Sequence, residues 1–314
     1  MNKIVFLDRK TLGDDITLAQ FKKYGEVITY ESTTKEQTLK RVQDASIVVT
    51  NKVVIDKNII DSSDIKLICV SATGMNNIDL EYAKEKEIEV KNVAGYSTSS
   101  VVQLTLSIAL EFVQNVNFYD NYVKNKGWEK SDIFTNHDKP FFELDGKRWG
   151  VIGLGNIGKS VAKVVTAFGC EVKYFSTSGI NNDNQYEKLS LEELLKTCDI
   201  ISIHSPLNDK TLNLISKENI NYIKDGAILL NLGRGGIVNE NDISEAINNN
   251  HDIYYGTDVV TKEPIESNSP LLTIKNKERF IITPHIAWAS KEARVRLLEG
   301  IEKNIKEFND IGNF

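Results

Sequence analysis

The sequence has few of the residues that mark a disulfide-rich or metal-binding protein. Cysteine occurs three times in 314 residues, as Cys69, Cys170 and Cys198, and histidine occurs four times. Cysteines so widely spaced, with no CxxC pair, favour buried free thiols in a reducing compartment over a disulfide framework or a zinc site. The histidines and acidic residues also lack metal-ligand spacing. We therefore expect no metal site.

Long apolar runs and an excess of basic charge are also missing. The longest apolar stretch, 101–113, is interrupted by Gln103, Ser107 and Glu111, so we expect no membrane span and no membrane partner. The net charge of -6 and a pI of about 5.5 argue against nucleic acid as a partner. The first residues turn acidic at Asp8, too early for a signal peptide. These features predict a cytoplasmic protein that is long enough for two domains.

The clearest motif lies near the middle of the chain. A short apolar strand ending at Ile152 leads into Gly153-Leu154-Gly155-Asn156-Ile157-Gly158, and a stretch of helical periodicity follows. A dinucleotide pyrophosphate site requires this order of strand, Gly-rich turn and helix. The first glycine permits the tight turn, the second lets the backbone approach the phosphates, and the third lets the helix pack on the strand. The motif predicts nucleotide binding, against the alternative of a Gly-rich turn that binds nothing.

The end of the next strand bears on which dinucleotide is bound. In NAD sites an acidic residue about twenty positions beyond the Gly-rich turn holds the ribose 2′-hydroxyl. Here the strand over 171–175 ends at Ser176 instead. A hydroxyl tolerates a 2′-phosphate better than a carboxylate does. The sequence therefore leaves the cofactor open between NAD and NADP.

Apolar strands alternate with helices along most of the chain, which predicts parallel sheets with helices on both faces. One series ends near Gly95 and includes a helix over 16–24. A second series begins near Lys147 and has six strands, at about 148–152, 171–175, 199–204, 227–231, 253–257 and 280–283, with helices that include 217–223.

Two further segments lie outside these series. Between the first and the second series the periodicity predicts one long helix over 97–125, with Val116 in its buried stripe. A polar segment up to Pro140 follows and carries Trp128 and Phe134, either as a flexible loop or as an arm that buries those rings against another subunit. A final amphipathic helix over 290–308, with Val295 on its apolar side, either caps the second domain or crosses back to the first.

Residues able to do chemistry follow the later strands, where open α/β sheets bind ligands. Arg234 stands among glycines in Asn231-Leu232-Gly233-Arg234-Gly235-Gly236, so its guanidinium can bind a carboxylate through two N–H groups. Glu263 and His285 follow the next strands. A histidine held by a carboxylate keeps one tautomer and suits proton donation to a carbonyl oxygen during hydride transfer. Each residue alone has an ordinary structural interpretation, but the combination behind a nucleotide loop favours this chemistry.

Over nearly its whole length the chain resembles the D-isomer-specific 2-hydroxyacid dehydrogenase family. The resemblance implies an α/β fold of two doubly wound parallel-sheet domains. A Rossmann NAD(P)-binding domain, 97–289, would be inserted in a flavodoxin-like substrate domain, 1–96 plus 290–314. It also implies a homodimer built through the 97–140 region. The motifs that carry the resemblance are the Gly-rich turn at 153–158, His204-Ser205-Pro206-Leu207, the 231–236 turn, Asp258-Val259-Val260-Thr261-Lys262-Glu263-Pro264 and Thr283-Pro284-His285.

The resemblance also implies roles for individual residues. Arg234 would bind the substrate carboxylate and carbonyl, His285 would be the acid/base, and Glu263 would orient and charge that histidine. The backbone N–H groups of Thr73 and Gly74 would take the substrate carboxylate. Asp258 would hold the nicotinamide carboxamide, within a cofactor-binding set made of Gly153, Gly155, Asn156, Ile157, Gly158, Ser176, Pro206 and Asp258.

Three stretches look most like the glycerate dehydrogenases, also called hydroxypyruvate reductases: 72–79, 95–103 and 285–290. The implied reaction is hydride transfer from NADH or NADPH to a short 2-keto acid, foremost hydroxypyruvate to D-glycerate. One alternative is a D-lactate dehydrogenase, which would prefer pyruvate. Another is a nucleotide-sensing binding module like the family's transcriptional corepressors, against which the Arg234, Glu263 and His285 set argues. The side group of the acid, the oligomeric state and the direction of the reaction stay open.

Overall fold

The computed structural model describes residues 2–180 and 182–310. Its internal contacts divide the chain into two compact units. We call Met1–Ser97 with Trp288–Phe314 the outer unit, and Thr98–Ala287 the central unit. Each unit is built around its own parallel sheet.

The described residues form the following strands and helices. The strands are β1 (Asn2–Phe6), β2 (Gly25–Thr29), β3 (Ile47–Thr50), β4 (Leu67–Val70), β5 (Glu89–Lys91), β6 (Arg148–Ile152), β7 (Glu171–Phe175), β8 (Glu187–Lys188), β9 (Ile200–Ile203), β10 (Ala227–Asn231), β11 (Ile253–Thr257) and β12 (Phe280–Ile282). The helices are α1 (Lys35–Val42), α2 (Lys57–Asp61), α3 (Leu80–Glu85), α4 (Thr98–Gln114), α5 (Val116–Lys124), α6 (Asn156–Ala167), α7 (Leu191–Thr197), α8 (Glu240–Asn248) and α9 (Lys291–Asp310).

The outer unit has a five-stranded sheet in the order β2-β1-β3-β4-β5, with every pair parallel. This is the flavodoxin-like strand order, so the predicted fold of this unit is confirmed. Ile4, Val5 and Phe6 of β1 are all buried, because parallel strands covered on both faces bury consecutive side chains.

The final helix, α9, belongs to the outer unit. Leu297, Ile301 and Ile305 lie in one apolar cluster with Ile4 and Phe6 of β1. Of the two alternatives for the end of the chain, the structure therefore shows the return to the first sheet. Val295 was expected on the apolar side but is 40% exposed. That part of the expectation is wrong.

The central unit has a seven-stranded parallel sheet in the order β12-β11-β10-β9-β6-β7-β8. With β6 counted as strand 1, β6 to β11 have the 3-2-1-4-5-6 order of a Rossmann fold, and β12 is one more strand beyond β11. The predicted doubly wound nucleotide fold is confirmed, but the count of six strands was too low. The missing strand is β8, whose two residues, Glu187 and Lys188, are exposed. It has no apolar alternation by which a sequence pattern could detect it.

The long helix predicted over 97–125 is two helices. Asn115 has φ 52° and adopts the left-handed conformation, which ends α4 after Gln114 before α5 begins at Val116. Asparagine tolerates this conformation better than most residues, so it can break a helix within a continuous periodic pattern. Because the turn rotates α5 out of register, Val116 is 60% exposed rather than buried.

Two other predicted helices are shorter than the periodicity suggested. The stretch 217–223 contains only a 3-10 turn over Ile220–Tyr222, and 16–24 contains a 3-10 helix over Ala19–Tyr24. Each 3-10 segment buries one of its own side chains, Ile220 in the first and Phe21 in the second. A 3-10 turn buries one side chain with fewer ordered residues than a full helix does.

Both faces of the central sheet are covered by apolar clusters. Trp149 and Val151 of β6 point into one cluster, with Phe112 of α4, whereas Ile152 lies in the other. The indole N–H of the fully buried Trp149 donates to the hydroxyl oxygen of Ser202 over 2.9 Å, so its polar atom is satisfied. None of the helices among the described residues is long and apolar enough to cross a bilayer.

Candidate active site

The Gly-rich turn lies between β6 and α6 at the carboxyl edge of the central sheet. Gly153 has φ +90°, and a Cβ there would come within 3.0 Å of the backbone nitrogen of Ser205. A Cβ at Gly158 would come within 2.2 Å of the carbonyl oxygen of Gly153. Both positions therefore need glycine, the first for its conformation and the second for close packing of the helix on the strand.

Gly155 differs from these two, because a Cβ there would meet nothing within 4 Å. Gly155 is the N-cap of α6, and no side chain caps the first turn of this helix, which begins with Asn156 and Ile157. The turn thus presents open space beside the positive end of a 12-residue helix. Free backbone N–H groups and the helix dipole at such an end suit a pyrophosphate.

Buried polar atoms without partners lie near this turn. Ser176, which follows β7, is 6% exposed, and its hydroxyl oxygen has no hydrogen-bond partner among the described residues. The hydroxyl of Ser205, beside Gly153, is in the same state. Pro206, next along the chain, is exposed. Since buried polar groups are rarely left unsatisfied, these hydroxyls fit a site that a polar ligand completes.

His204 directly follows β9 and lies next to the Gly-rich turn, and both of its ring nitrogens are buried without a hydrogen-bond partner among the described residues. Burial alone lowers the pKa of His204 to about 3. The imidazole is therefore neutral at physiological pH. Its backbone lies beside Gly153 of the Gly-rich turn.

This burial makes the fold sensitive to acid. The unfolded chain protonates His204 near pH 6.5, whereas the folded chain resists protonation down to about pH 3, so stability is lost as the pH falls through this window. At pH 5 the loss amounts to roughly 2 kcal/mol, at about 1.36 kcal/mol per pH unit. We expect His204→Gln to remove about this much of the difference in unfolding free energy between pH 7 and pH 5, measured by urea titration of cofactor-free protein.

The exposed His137 provides the matched control. His137→Gln should keep the pH dependence of the unaltered protein. Equal losses between pH 7 and pH 5 in His204→Gln and in the unaltered chain would contradict the assignment of the acid sensitivity to His204.

The second feature of the edge is the turn that follows β10. The side-chain amide of Asn231 donates to the carbonyl oxygen of Arg234 over 2.9 Å, and its oxygen accepts the N–H of Gly233. These bonds shape the turn so that Arg234 is exposed. Its guanidinium donates to the carbonyl of Gly233, and its other N–H groups have no hydrogen-bond or ion-pair partner among the described residues. One Nη1–H of the guanidinium is therefore used within the turn, and the remaining N–H groups are available to a ligand.

The third feature is a pair formed by Glu263 and His285. Oε2 of Glu263 lies 2.7 Å from Nδ1 of His285, and the two side chains are 27% and 26% exposed. An ionised carboxylate only accepts hydrogen bonds, so Nδ1 carries a proton and Nε2 faces away from the glutamate. Nε2 has no partner among the described residues. The pair therefore presents one ring nitrogen for proton exchange with a ligand.

Asp258 holds the segment that carries His285. Its carboxylate, 1% exposed, accepts the N–H groups of Ile286 and Ala287, both over 2.8 Å, and the hydroxyl of Thr283. Burial raises the pKa of this carboxyl, and the hydrogen bonds from Thr283, Ala287 and Ile286 act in the opposite direction. The sequence had assigned Asp258 to the cofactor only. Its contacts with the histidine segment were missed.

Thr73 and Gly74 lie in the outer unit, in the loop after β4. The side-chain amide of Asn92 donates to the carbonyl of Thr73 over 2.6 Å, and the hydroxyl of Thr73 donates to the carbonyl of Val93. The backbone N–H groups of Thr73 and Gly74 have no partner among the described residues. The carbonyl of Thr73 is thus bonded, whereas two neighbouring backbone N–H groups are available, and such a loop suits an anion.

The structure thus brings Arg234, Glu263, His285 and Asp258 to the carboxyl edge of one sheet in the central unit, and it places Thr73 and Gly74 in the outer unit. Among the described residues no group of three or more His, Cys, Asp or Glu side chains is arranged to hold a metal. Asn231 was also missed, although an asparagine three residues before an arginine within a glycine turn is a recognisable turn signal.

Comparisons with known proteins agree on one family. The sequence model of the D-isomer specific 2-hydroxyacid dehydrogenase NAD binding domain matches residues 106–287. A hydroxypyruvate reductase of Blautia hydrogenotrophica is 38% identical over 98% of this chain and 96% of its own length. A glycerate dehydrogenase of Methylorubrum extorquens is 35% identical over 98% and 96% of the two chains. A crystal structure from Thermus thermophilus superimposes with a TM-score of 0.84 at 30% identity, covering 98% and 96%.

Proposed function

Because the chain belongs to the D-isomer specific 2-hydroxyacid dehydrogenase family, we propose that it reduces hydroxypyruvate to D-glycerate with NADH or NADPH. The observation that carries the chemistry is the contact between Glu263 and His285, which leaves Nε2 of the histidine available. The choice of substrate is supported by the names of the two relatives, which match this chain over nearly its full length.

In this proposal His285 donates the proton that carbonyl reduction requires. The carboxylate of Glu263 stabilises the protonated imidazole through Nδ1, and Nε2–H donates to the carbonyl oxygen of the substrate. The hydride to the carbonyl carbon would come from a nicotinamide held in the central unit. The carbonyl therefore gains one hydride and one proton and becomes a hydroxyl, while His285 is left neutral and regains its proton from water.

Arg234 would bind the anionic end of the substrate. The guanidinium N–H groups of Arg234 that are not bonded to Gly233 can pair with the carboxylate through two parallel hydrogen bonds. In the outer unit, the backbone N–H groups of Thr73 and Gly74 are suited to binding a carboxylate, because they have no partner among the described residues. Fixing the substrate in this way would supply much of the rate, since oriented reactants can lower a barrier by ~7–11 kcal/mol.

The cofactor would lie along the carboxyl edge of the central sheet. Gly153, Gly155 and Gly158 with Asn156 and Ile157 would hold the pyrophosphate, where the open side of Gly155 offers space. Ser176 would lie at the ribose and Pro206 along the cofactor, and Asp258 would accept a hydrogen bond from the nicotinamide carboxamide. No carboxylate stands at position 176 to repel a 2′-phosphate. We therefore propose that the site admits both NADH and NADPH.

The test is a matrix of initial rates with purified protein. Hydroxypyruvate, glyoxylate and pyruvate are each supplied with NADH and with NADPH, and the loss of reduced-nicotinamide absorbance is followed. We expect the highest kcat/KM for hydroxypyruvate, and chiral chromatography should identify the product as D-glycerate. The ratio of rates with the two cofactors reports how well position 176 accepts the 2′-phosphate.

Other outcomes would replace the proposal in defined ways. A preference for pyruvate would indicate a D-lactate dehydrogenase with the same mechanism. An absence of turnover, together with cofactor binding seen as quenching of tryptophan fluorescence, would favour a nucleotide-sensing module. L-Glycerate as the product would contradict the proposal directly.

We further propose a homodimer through the 97–140 region. Trp128, Ile133 and Phe134 are between 50% and 88% exposed within this one segment. Exposed apolar side chains concentrated in one place favour a protein partner, and a second copy of the chain would cover them. Light scattering is expected to report twice the chain mass of 35.3 kDa, and Phe134→Ser should shift the protein towards the monomer. A monomeric unaltered protein would contradict this assembly.

We also propose that the enzyme works in a reducing compartment, the cytoplasm. Cys69, Cys170 and Cys198 are all buried and free. Burial raises the pKa of the Cys170 and Cys198 thiols to about 11, so they stay protonated and unreactive.

A further inference from the structure

The segment that carries Glu263 packs tightly against the turn that carries Arg234. A Cβ at Gly235 would come within 2.0 Å of the carbonyl oxygen of Val260 and within 2.5 Å of the backbone nitrogen of Thr261. Only a residue without a side chain fits there. The peptide between Val260 and Thr261 therefore lies directly on the residue that follows Arg234.

Glu240 contacts the same peptide from another element. As the first residue of α8, it accepts the backbone N–H of Thr261 at its Oε1 over 2.5 Å. The start of α8 is itself well anchored, because the side chain of Asn239 caps it and the N–H of Asn239 donates to the carbonyl of Ile215 over 2.8 Å. A short bond from a fixed helix end to an irregular segment restrains that segment.

The restrained peptide is linked to the proton-exchanging pair. The N–H of Val260 donates to Oε1 of Glu263 over 3.4 Å, and the other oxygen of Glu263 contacts His285. A shift of the Val260–Thr261 peptide therefore moves the carboxylate that orients the histidine. The bond from Glu240 goes to the Thr261 N–H, so we trace its effect on the reaction through this peptide.

We propose that Glu240 is a positioning residue, which holds the Val260–Thr261 peptide against Gly235 and so keeps Glu263 aligned with His285. The inference rests on the proposed function, because it concerns the same proton transfer. We expect loss of Glu240 to lower kcat and to leave the affinity for the cofactor unchanged. Glu240 lies far from the Gly-rich turn in sequence and bonds to the segment that carries Glu263. A misplacement of about 1 Å can cost up to about 10²-fold in rate.

A merely structural role for Glu240 is the alternative to exclude. An acidic residue in the first turn of a helix also stabilises that helix through the macrodipole. Asp242 lies in the same turn of α8 and accepts the N–H of Lys217, away from the Val260–Thr261 peptide. Asp242→Asn therefore removes a charge from the same helix end without touching the segment that carries Glu263.

The kinetic experiment compares Glu240→Ala, Glu240→Gln and Asp242→Asn with the unaltered enzyme, using hydroxypyruvate and NADH. We expect Glu240→Ala to lower kcat by about 10-fold with NADH affinity unchanged. Glu240→Gln should recover most of the loss, because its amide oxygen still accepts the Thr261 N–H. Asp242→Asn should keep the full kcat. Thermal unfolding midpoints report whether each variant is folded.

A double-mutant cycle separates positioning from general destabilisation. If Glu240 acts through Glu263, then Glu240→Ala in a Glu263→Gln background should cost less than about 2-fold. An equal loss in both backgrounds would overturn the proposal, and so would an unchanged kcat in Glu240→Ala alone.

Hydrogen exchange provides a readout that needs no turnover. Exchange at the backbone amides of 259–263, followed by mass spectrometry, should quicken in Glu240→Ala and stay slow in Glu240→Gln and Asp242→Asn. Unchanged exchange in Glu240→Ala would overturn the inference even if the unaltered protein reduced no keto acid. Absent turnover with the expected exchange pattern would count against the proposed function alone.

Discussion

His285→Ala is expected to lower kcat for keto-acid reduction by roughly 10²–10⁴-fold, the range typical of lost general acid–base catalysis. The reason is that Nε2 of His285 is the ring nitrogen left free by the 2.7 Å contact between Nδ1 and Glu263. Alanine removes the proton donor, and water then has to protonate the alkoxide without a fixed position. The measurement is steady-state kinetics with hydroxypyruvate and NADH at saturating concentrations.

The affinity for the cofactor should stay unchanged in this variant, because His285 lies outside the Gly-rich turn. His137→Ala removes an exposed histidine from the same unit and serves as the control, with kcat expected to match the unaltered enzyme. Full activity in His285→Ala would show that the proton comes from elsewhere and that the assignment of the acid is wrong.

Arg234→Ala is expected to raise the KM for the keto acid and lower kcat together, with kcat/KM falling on the order of 10²–10³-fold. Loss of one partner from a hydrogen-bonded charge pair costs about 2–5 kcal/mol, or roughly 30- to 5,000-fold, and the expected loss lies in the middle of this range. Both constants change because the guanidinium binds the carboxylate and also aligns the carbonyl. Initial rates over a wide range of hydroxypyruvate concentration measure the two constants separately.

Arg234→Lys should recover only part of this loss, because an ammonium keeps the charge but cannot form two parallel N–H bonds to a carboxylate. Arg148→Ala is the matched control. Arg148 is half exposed in the same unit and pairs with Glu171, far from the 231–236 turn in sequence. An unchanged KM in Arg234→Ala would remove Arg234 from the substrate site.

Much of the fold could be predicted from local patterns. Val151 and Ile152 ahead of three spaced glycines predict strand, turn and helix, because apolar runs, glycine conformations and helical periodicity all operate within a few residues. The same locality explains the errors. β8 consists of Glu187 and Lys188 and pairs with β7 through its backbone, so its side chains carry no signal. Asn115 interrupts a periodic pattern with a single backbone conformation.

The candidate site also has a part that the sequence determined and a part that only the tertiary structure decided. The sequence by itself determined which side chains are available: an arginine among glycines, a glutamate and a histidine after successive strands, and a serine where NAD sites have an acid. It also determined the family, through motifs that stand in a fixed order.

Only the tertiary structure decided which of these groups meet. Glu263 and His285 are 22 residues apart in the chain and 2.7 Å apart in space, Asp258 bonds to the histidine segment, and Glu240 bonds to the glutamate segment. The physical reason is that parallel strands bring distant residues to one edge of a sheet, where hydrogen bonds act over about 3 Å and are set by packing rather than by spacing along the chain.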